Sequence, residues 1–391
     1  DHHSIPDQVP PAFAIIHPQF APNYPFKDLS GSGVAFKLAS AILIASKNED
    51  MIPLFTDLAS LGTVADCVPL NGENRQLVKL GLKQMHRTQW DGLRAILESS
   101  GAWNQQNFNS FTIGFQIGPR LNAAGRIDSP QLSMETLLAR GPEARKKSKK
   151  LEELNATRRE LTQTIQEEVE ASLNLSAPIL IAAGQGWSSG IVGLIAGRIQ
   201  EKHSKPTFIL EDRGESLIGS ARSLPGFHAV EAIKQAAHLL ENFGGHEQAA
   251  GFHLKKENYQ AFKEILLAHA EEFFAEQPLK HALKVDLTLH PEELTLKHQE
   301  KIASFAPFGV ANQEPLFLLE DIKILDARPV GREEKHIKFQ ARFGQQFIDG
   351  IAFHFAQHLE ALKSAKSIVA TLEKNEWNDT EKLQLKLVDF A

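Results

Sequence analysis

Three residues at the start of the chain, Asp1, His2 and His3, place a carboxylate beside two imidazoles. Neutral imidazole suits Mn, Zn, Fe and Cu, and carboxylate oxygens suit Mg and Mn, so the mixed set favours a hard or borderline divalent cation. Side chains alternate along a strand, but at a strand end that runs into a loop two of the three can converge on one point. The triplet therefore predicts part of a metal site.

A further carboxylate ligand is expected from elsewhere in the chain, and Asp66 is the best candidate. It follows an apolar stretch and lies among the small residues of segment 62–70, where a strand end would present its side chain. The alternative is that the histidine pair is a tag remnant and that Asp66 caps a turn.

The composition is that of an ordinary globular protein, with 391 residues, 42% hydrophobic residues, 23% charged residues and a formal charge of −6. This length allows two or three domains, each with its own core. The single cysteine, Cys67, excludes an intrachain disulfide framework and fits a reducing cytoplasm. No apolar run approaches the ~20 residues that a membrane helix needs, and no secretory signal leads the chain. We expect a cytoplasmic protein without a membrane partner.

The elements that would hold the metal site begin with a Pro-rich stretch, residues 5–28, around a short strand over residues 12–17. Helices are predicted over residues 31–46, 51–60, 74–85 and 90–99. This alternation of helices with short apolar elements predicts half of an α/β domain. Because no strand precedes the triplet, we expect that the N-terminal part of this domain is missing.

Glycines and arginines are concentrated in residues 114–128, where Arg120 and Arg126 lie among small residues. Such a backbone can approach an anion, and guanidinium groups match phosphate oxygens. The alternative is a glycine-rich turn with solvated arginines. The compact setting favours phosphate contact.

One long helix is predicted from Pro142 to about Leu173. Its narrow apolar stripe consists of Leu151, Leu154, Leu161, Ile165 and Val169. A single stripe on so long a helix indicates a largely solvated connector between domains. The first half is basic, with Arg140, Arg145, Lys146, Lys147, Lys149, Lys150, Arg158 and Arg159. Taken alone this run is best interpreted as a solvated face, and attraction of a polyanion is the functional alternative.

A second α/β domain is predicted from Pro178. Its strands cover residues 179–183, 207–211 and 217–221, and its helices cover 191–202, 229–242 and 257–274. The segment 220–223, with Arg222, and a turn at Gly244-Gly245-His246 each offer backbone N–H groups with a hydroxyl or a cation, as in an anion-binding nest. A single histidine such as His246 more often caps or packs. Two such elements beside one strand pair favour substrate binding.

The last segment switches to short alternating strands over residues 284–289, 316–324, 336–343, 346–352, 367–373 and 383–388, interrupted by a helix over 354–363. This pattern predicts a small barrel such as an OB-fold, and a structural β-domain is the alternative. Five aromatic residues there are candidates for base stacking, although most should fill the core: Phe317, Phe339, Phe343, Phe347 and Trp377.

Taken in order, these motifs resemble the DHH superfamily of phosphoesterases, and within it the RecJ family of single-strand-specific 5′-to-3′ exonucleases. Asp1-His2-His3 is similar to the motif that names the superfamily, and residues 62–66 are similar to its next acidic motif. Residues 118–126 resemble a RecJ signature. Gly244-Gly245-His246, with residues 249–251, resembles the DHHA1 domain, and residues 307–315 and 376–385 resemble the RecJ OB domain.

The resemblance implies an α/β protein with four parts. These are an N-terminally truncated DHH-type α/β domain (1–140), a connector helix (141–175), a DHHA1 substrate-binding domain (176–276) and an OB-like nucleic-acid-binding β-barrel (277–391). RecJ-like enzymes carry aspartate motifs upstream of the triplet, and these are absent from the sequence. We therefore expect the chain as given to be short of the ligands that two ions need.

By resemblance, His2 and Asp66 bind metal, His3 touches the scissile phosphate or orients a ligand, and Asp1 supports a ligand. The expected cofactor is Mn²⁺ or Mg²⁺, as two ions in the intact enzyme. The expected substrate is single-stranded DNA with a 5′ end, hydrolysed to mononucleotides in DNA repair and recombination, with single-strand-binding protein and a helicase as partners. The residues expected to hold nucleotide phosphates are Arg120, Asn122, Arg126, Ser188, Arg222, Ser223, Gly244, Gly245 and His246.

Two other functions remain open. A small-substrate DHH phosphatase or nanoRNase would need neither the C-terminal barrel nor the long basic helix. A RecJ-like nucleic-acid-binding scaffold would keep the fold but lose metal ligands, and the intact triplet and Asp66 argue against that loss.

Overall fold

A computed structural model describes residues 2, 3, 5, 8–277, 282–377 and 380–391, without the side chains of Glu376 and Trp377. Its α-helices are α1 (Gly31–Ala45), α2 (Thr56–Ala65), α3 (Gly72–Met85), α4 (Asp91–Ser99), α5 (Gly118–Ile127), α6 (Gln131–Leu138), α7 (Gly141–Ser172), α8 (Ser189–His203), α9 (Ala229–Lys234), α10 (Tyr259–Glu276), α11 (Leu296–Ala303) and α12 (Leu359–Lys363). Its strands are β1 (Leu180–Gln185), β2 (Thr207–Asp212), β3 (Ser216–Arg222), β4 (Leu240–His246), β5 (Ala249–Lys255), β6 (Leu287–Thr288), β7 (Phe317–Glu320), β8 (Lys323–Val330), β9 (His336–Phe343), β10 (Gln346–Ala352), β11 (Ser367–Trp377) and β12 (Thr380–Phe390).

These elements confirm the α/β class and form two compact units. Unit 1 consists of residues 1–87, 107–113 and 282–391, and unit 2 consists of residues 88–106 and 114–281. Within the described ranges, no helix has the length and apolar character that a membrane crossing requires.

Helices α1, α2 and α3 form the N-terminal part of unit 1. Helix α1 begins after Ser30, whose Oγ accepts a 3.0 Å hydrogen bond from the Gly33 amide. The same hydroxyl lies 3.1 Å from Thr63 Oγ1, and Ser32 Oγ donates to the Ala59 carbonyl at 3.0 Å. Small hydroxyl side chains thus let the start of α1 pack closely on α2.

The strand predicted over residues 12–17 is wrong. These residues contain no assigned strand, and Phe13, Ile15 and Ile16 are exposed. A strand requires a hydrogen-bonded neighbour, and the described residues of unit 1 pair no segment with this stretch. The helices predicted over residues 31–46, 74–85 and 90–99 are confirmed as α1, α3 and α4.

The C-terminal part of unit 1 is a seven-stranded sheet in the order β6-β7-β11-β12-β10-β9-β8. Alternation of buried and exposed residues defines β9 and β10, whose predicted bounds are confirmed. Phe317, Phe339 and Phe343 belong to the buried core of this sheet, whereas Phe347 is 67% exposed. Most of the aromatic candidates are therefore core residues, as expected, and the Trp377 side chain lies outside the described residues.

Unit 2 contains a five-stranded sheet in the order β1-β2-β3-β5-β4, in which β1 and β2 are parallel. One face packs on α8 and the end of α7, and the other packs on α9 and α10. The helix predicted over residues 229–242 is too long, because α9 ends at Lys234. Residues 240–246 instead pair with β5, so Gly244-Gly245-His246 lies in an edge strand and not in a turn.

Helix α7 confirms the predicted long helix, with Pro142 in its first turn. It is covered more extensively than its apolar stripe indicates, because Ser148, Asn155 and Thr162 are also buried. Its first half packs on α4, α5 and α6, and its second half packs on α8. The prediction that it is solvated over much of its length is nevertheless confirmed, because about half of its residues are exposed, among them Arg145, Lys146, Lys149, Lys150 and Arg159.

The glycine-rich segment whose backbone is predicted to approach an anion is helical. A π-helical stretch, Thr112–Ile117, leads into α5, which has Pro119 in its first turn. Proline suits this position because its missing N–H needs no partner there. The backbone N–H groups beyond the first turn of α5 are therefore used within the helix and are not available to an anion.

Candidate functional site

His2 and Asp66 come together in unit 1. The Nε2 atom of His2 lies 2.9 Å from Oδ2 of Asp66, and their side chains are 18% and 45% exposed. The ring of His3 lies beside that of His2, with centroids 4.4 Å apart. Asp1 lies outside the described residues. Three of the four residues predicted for the metal site are thus neighbours.

The packing of α1 on α2 positions this pair. A Cβ built on Gly31, the first residue of α1, would lie 3.4 Å from Nδ1 of His2. Asp66 caps the C-terminus of α2, so the strand end predicted for it is wrong. The apolar stretch before Asp66 is the buried face of a helix, a pattern that is ambiguous over so few residues. Cys67 then takes φ 53°, the left-handed conformation in which chains commonly leave helices.

His17, which the sequence analysis did not single out, fixes the backbone of the histidine pair. Its Nε2 lies 2.9 Å from the His3 carbonyl, and its Nδ1 accepts from the Gln19 amide at 3.2 Å. An accepting Nδ1 requires that Nε2 carry the proton and donate to His3. The side chain is 7% exposed. The run Ile15-Ile16-His17 gives no signal for this burial, because Ile15 and Ile16 are themselves exposed.

Asn74 at the start of α3 ties together the segments that flank the pair. Its Nδ2 donates to the Asp28 carbonyl at 2.6 Å and to the Pro69 carbonyl at 3.0 Å. One acceptor precedes α1 and the other follows Asp66. The fully buried side-chain amide of Asn74 therefore fixes the segment that precedes α1 and the segment that follows Asp66.

The donor atoms of His2 and Asp66 fit adjacent positions on one cation. Two ligand atoms about 2.1 Å from an octahedral ion and at right angles to each other are about 3.0 Å apart, close to the observed 2.9 Å. Imidazole with carboxylate is also a suitable donor set for Mn²⁺. Within the described ranges, no group of three His, Cys, Asp or Glu residues forms a complete ligand set. The pair offers two of the donor atoms that a metal site would need.

A cluster of arginines occupies unit 2. Arg126 on α5 donates to the Gly190 carbonyl at 2.7 Å, and Arg222 on β3 donates to Ser220 Oγ at 3.0 Å and to the Ala221 carbonyl at 2.8 Å. Burial lowers the pKa of both guanidinium groups, and the charge of Arg126 lowers the pKa of Arg222 further. Neither side chain pairs with a carboxylate among the described residues, so their charges are available to an anion.

Close contact between α5 and α8 places Arg126. A Cβ on Gly190 would lie 2.6 Å from the backbone carbonyl oxygen of Arg126, so only glycine allows the two helices to approach this closely. Arg120, six residues earlier on α5, has its charge balanced by Glu152 of α7 and donates to the Gln116 carbonyl. Asn122 is exposed on the same helix.

The remaining residues predicted to bind phosphate differ in their exposure and in their hydrogen bonds. Ser188 is the N-cap of α8, but its side chain makes no capping hydrogen bond. Ser223 is buried, and its hydroxyl donates to the Phe227 carbonyl at 2.6 Å. Gly244, Gly245 and His246 are exposed in β4, the edge strand of the sheet. Of this group, Ser188 and the β4 residues are accessible.

Comparison with known families and structures supports this organisation. A family model described as the DHHA1 domain matches residues 176–276, and one described as the RecJ OB domain matches residues 285–389. A crystal structure of RecJ from Thermus thermophilus in complex with Mn²⁺ superposes with a TM-score of 0.86 at 30% identity, covering 100% of this chain and 57% of that one. The same protein has also been solved with Mg²⁺.

Two curated relatives carry the name single-stranded-DNA-specific exonuclease RecJ. The protein of Bacillus subtilis strain 168 is 34% identical over 401 residues, which cover 100% of this chain and 50% of the relative. That of Haemophilus influenzae is 34% identical over 418 residues, which cover 100% of this chain and 72% of the relative. The chain thus spans between half and three quarters of the length of these two relatives. Identity along its whole length, with both domain models in order, means that the chain belongs to the RecJ family.

Proposed function

We propose that this protein is a metal-dependent 5′-to-3′ exonuclease that hydrolyses single-stranded DNA to mononucleotides and acts in DNA repair and recombination. The observation that carries the proposal is the meeting of His2 and Asp66, from separate segments, at 2.9 Å. Structural ion pairs also bring histidine and aspartate together, but this pair lies in a family whose members are named exonucleases.

In this proposal His2 and Asp66 would hold a divalent cation, Mn²⁺ or Mg²⁺. Such a cation, when bound, lowers the pKa of water and stabilises charge on the leaving oxygen of a phosphodiester. His3, beside His2, orients the pair or contacts the scissile phosphate, and Asp1 supports them. The partly buried hydrogen bond from His17 keeps the backbone of His3 in place.

The arginine cluster of unit 2 binds the phosphates of the strand. Arg126 and Arg222 are half-buried and without carboxylate partners among the described residues, so a bound phosphate would offset the cost of their burial. Arg120, Asn122, Ser188, Gly244, Gly245 and His246 are proposed to line the same substrate site, and Ser223, which is buried, is proposed to support it from its place next to Arg222 in the chain. Four functional segments are proposed: the C-terminal part of a DHH catalytic domain (1–140), a connector helix (141–175), a DHHA1 substrate-binding domain (176–276) and an OB-like nucleic-acid-binding domain (277–391).

The C-terminal sheet is proposed to contact the single strand through its exposed aromatic side chains. Phe347 is the described candidate that projects to solvent. Single-strand-binding protein and a helicase are proposed partners, and a cytoplasmic location is proposed from the lone cysteine.

Titration of Mn²⁺ in the presence of three substrates tests the proposal. The substrates are a long 5′-phosphorylated single strand, the matching duplex and a dinucleotide. We expect mononucleotides from the long strand, little product from the duplex, and no preference for the dinucleotide. Cleavage of the dinucleotide alone would identify a small-substrate phosphatase, and strand binding without cleavage at any Mn²⁺ concentration would identify a scaffold.

A further inference from the structure

Arg158 on α7 has no described partner that accounts for its position. It is half-buried, and its Nε atom is buried without a hydrogen-bond acceptor. Among the described residues it makes no ion pair, although exposed neighbours on the same helix do, such as Arg159 with Glu152 and Lys150 with Glu153. Arg158 also lies on the apolar stripe of α7, four residues after Leu154 and seven before Ile165. Its helical position thus directs it inward.

The surroundings of Arg158 are positively charged. Burial is the main cause that lowers its pKa, and the charges of Arg126, Arg198, Arg159 and Arg120 lower it further. Guanidinium groups do not lose their proton in proteins, so the charge of Arg158 remains and must be compensated from outside itself. Burial of an unpaired charge among like charges is costly, and a bound anion would offset part of that cost.

The acceptors nearby are already used by other arginines. Glu152 pairs with Arg120 and Arg159, and Gln166 accepts from Arg198 at 3.2 Å. This leaves Arg158, Arg126 and Arg222 without a carboxylate in the described part of unit 2. Arg126 is close enough to repel each of the other two, so it is their common neighbour.

We propose that Arg158 is a phosphate-binding residue, which grips a phosphate of the nucleotide strand together with Arg126. This deepens the proposed function and rests on it for the identity of the ligand as a nucleic-acid phosphate. The geometry itself requires only an anion. A guanidinium suits the role because its planar donors bind two phosphate oxygens at once.

The test compares Arg158→Gln with Arg159→Gln, two adjacent changes on α7 that remove the same charge. Binding of a 5′-phosphorylated single strand is measured by fluorescence anisotropy in EDTA, where no hydrolysis occurs, and inorganic phosphate is added as a competitor. We expect the Kd for the strand to rise about tenfold or more in Arg158→Gln, the loss of a charged hydrogen bond, and to change less than about threefold in Arg159→Gln. Competition by inorganic phosphate should weaken in parallel in Arg158→Gln.

Thermal unfolding separates binding from folding. Because Arg158 is uncompensated in the free protein, Arg158→Gln should unfold at the same or a higher temperature than the wild type, and Arg158→Lys should recover part of the strand affinity. A lower unfolding temperature with unchanged strand affinity would overturn the proposal and make Arg158 a structural residue. Equal affinities of Arg158→Gln and wild type would also overturn it, whereas absence of strand binding by the wild type would instead refute the proposed function.

Discussion

The backbone amide of Leu70 donates a 2.7 Å hydrogen bond to the carbonyl of Val310. Leu70 follows Asp66 closely in the chain, and Val310 lies in the loop between α11 and β7. The guanidinium of Arg75 reinforces this contact, since its Nη2 and Nε donate to the Phe305 carbonyl at 2.7 and 3.2 Å. The segment that carries a candidate metal ligand is therefore anchored to the C-terminal part of unit 1.

Replacement of Arg75 by Ala should weaken this anchor. It removes charged hydrogen bonds to a carbonyl just beyond the C-terminus of α11, a position where a cation is also favoured by the helix dipole. We expect the free energy of unfolding to fall by about 1–2 kcal/mol in urea titrations. Arg87→Ala, which removes an exposed arginine at the end of unit 1's helical part, is the control and should change it by less than about 0.5 kcal/mol. Equal losses in both variants would show that the Arg75 contacts contribute nothing.

Gly219 on β3 should not accept even a methyl group. A Cβ on Gly219 would overlap the ring of Phe252, a fully buried residue of the neighbouring strand β5. Overpacking of this kind costs about 1–3 kcal/mol. Gly251→Ala on the adjacent strand is a matched control, because the nearest atom to its Cβ would be 4.0 Å away. Gly219→Ala should have a clearly lower unfolding temperature than Gly251→Ala. The reverse order would mean that the Phe252 ring moves aside without cost.

Arg222→Gln should weaken binding of single-stranded DNA most at low salt. If Arg222 contacts one phosphate, the slope of log K against log salt concentration should decrease in magnitude by about 0.7. Arg94→Gln serves as the control, since Arg94 lies in the same unit and is already paired with Glu98 at 3.0 Å. Anisotropy titrations over a range of KCl concentrations give both slopes. An unchanged slope in Arg222→Gln would return this residue to a structural role.

Glu314 should destabilise the protein at neutral pH. Burial is the main cause that raises its pKa, with Glu373 adding to the rise and Lys386 opposing it. When the pKa of a carboxyl group is higher in the folded than in the unfolded protein, the protonated group favours folding at pH values below the unfolded pKa of about 4.3. This contribution to stability is lost as the pH rises through the folded-state pKa. Glu314→Gln should therefore be more stable than wild type at pH 7.5, by an amount that shrinks towards pH 4.5. Urea unfolding at both pH values measures this, and Glu320→Gln, at an exposed position on β7, should show no such trend.

The sequence was most informative where local pattern and tertiary burial agree. Buried residues alternate with exposed or partly exposed ones along β9 and along β10 from Phe347 onward, and Gly344 at φ 60° provides the turn between the two strands, so their limits could be predicted from the residues alone. Helix α7 was equally visible from its proline and stripe. In both cases the side chains that decide the structure are close together in the sequence.

Prediction failed where a short segment could satisfy two patterns. The apolar residues before Asp66 predict a strand, but they are one face of α2, which packs on α1 through serine and threonine hydroxyl groups from a distant segment. The glycines in residues 114–128 are compatible with a turn, whereas the segment forms a π-helical stretch and α5, and the glycine that permits close helix packing there is Gly190 of α8. Arg158 belongs to a basic run interpreted as a solvated face, although its place on the apolar stripe distinguishes it from its neighbours.

The most direct test of the account is the Mn²⁺-dependent release of mononucleotides from a 5′-phosphorylated single strand by wild type, Asp66→Asn and Asp50→Asn. Asp50 is an exposed aspartate of unit 1 and controls for the loss of one carboxylate charge. If Asp66 shares a cation with His2, its amide variant should lose at least about 100-fold in rate, more than is typical for a residue that only supports a metal ligand, while strand binding in EDTA and the Asp50→Asn rate stay at wild-type levels. Wild-type turnover by Asp66→Asn would contradict the account.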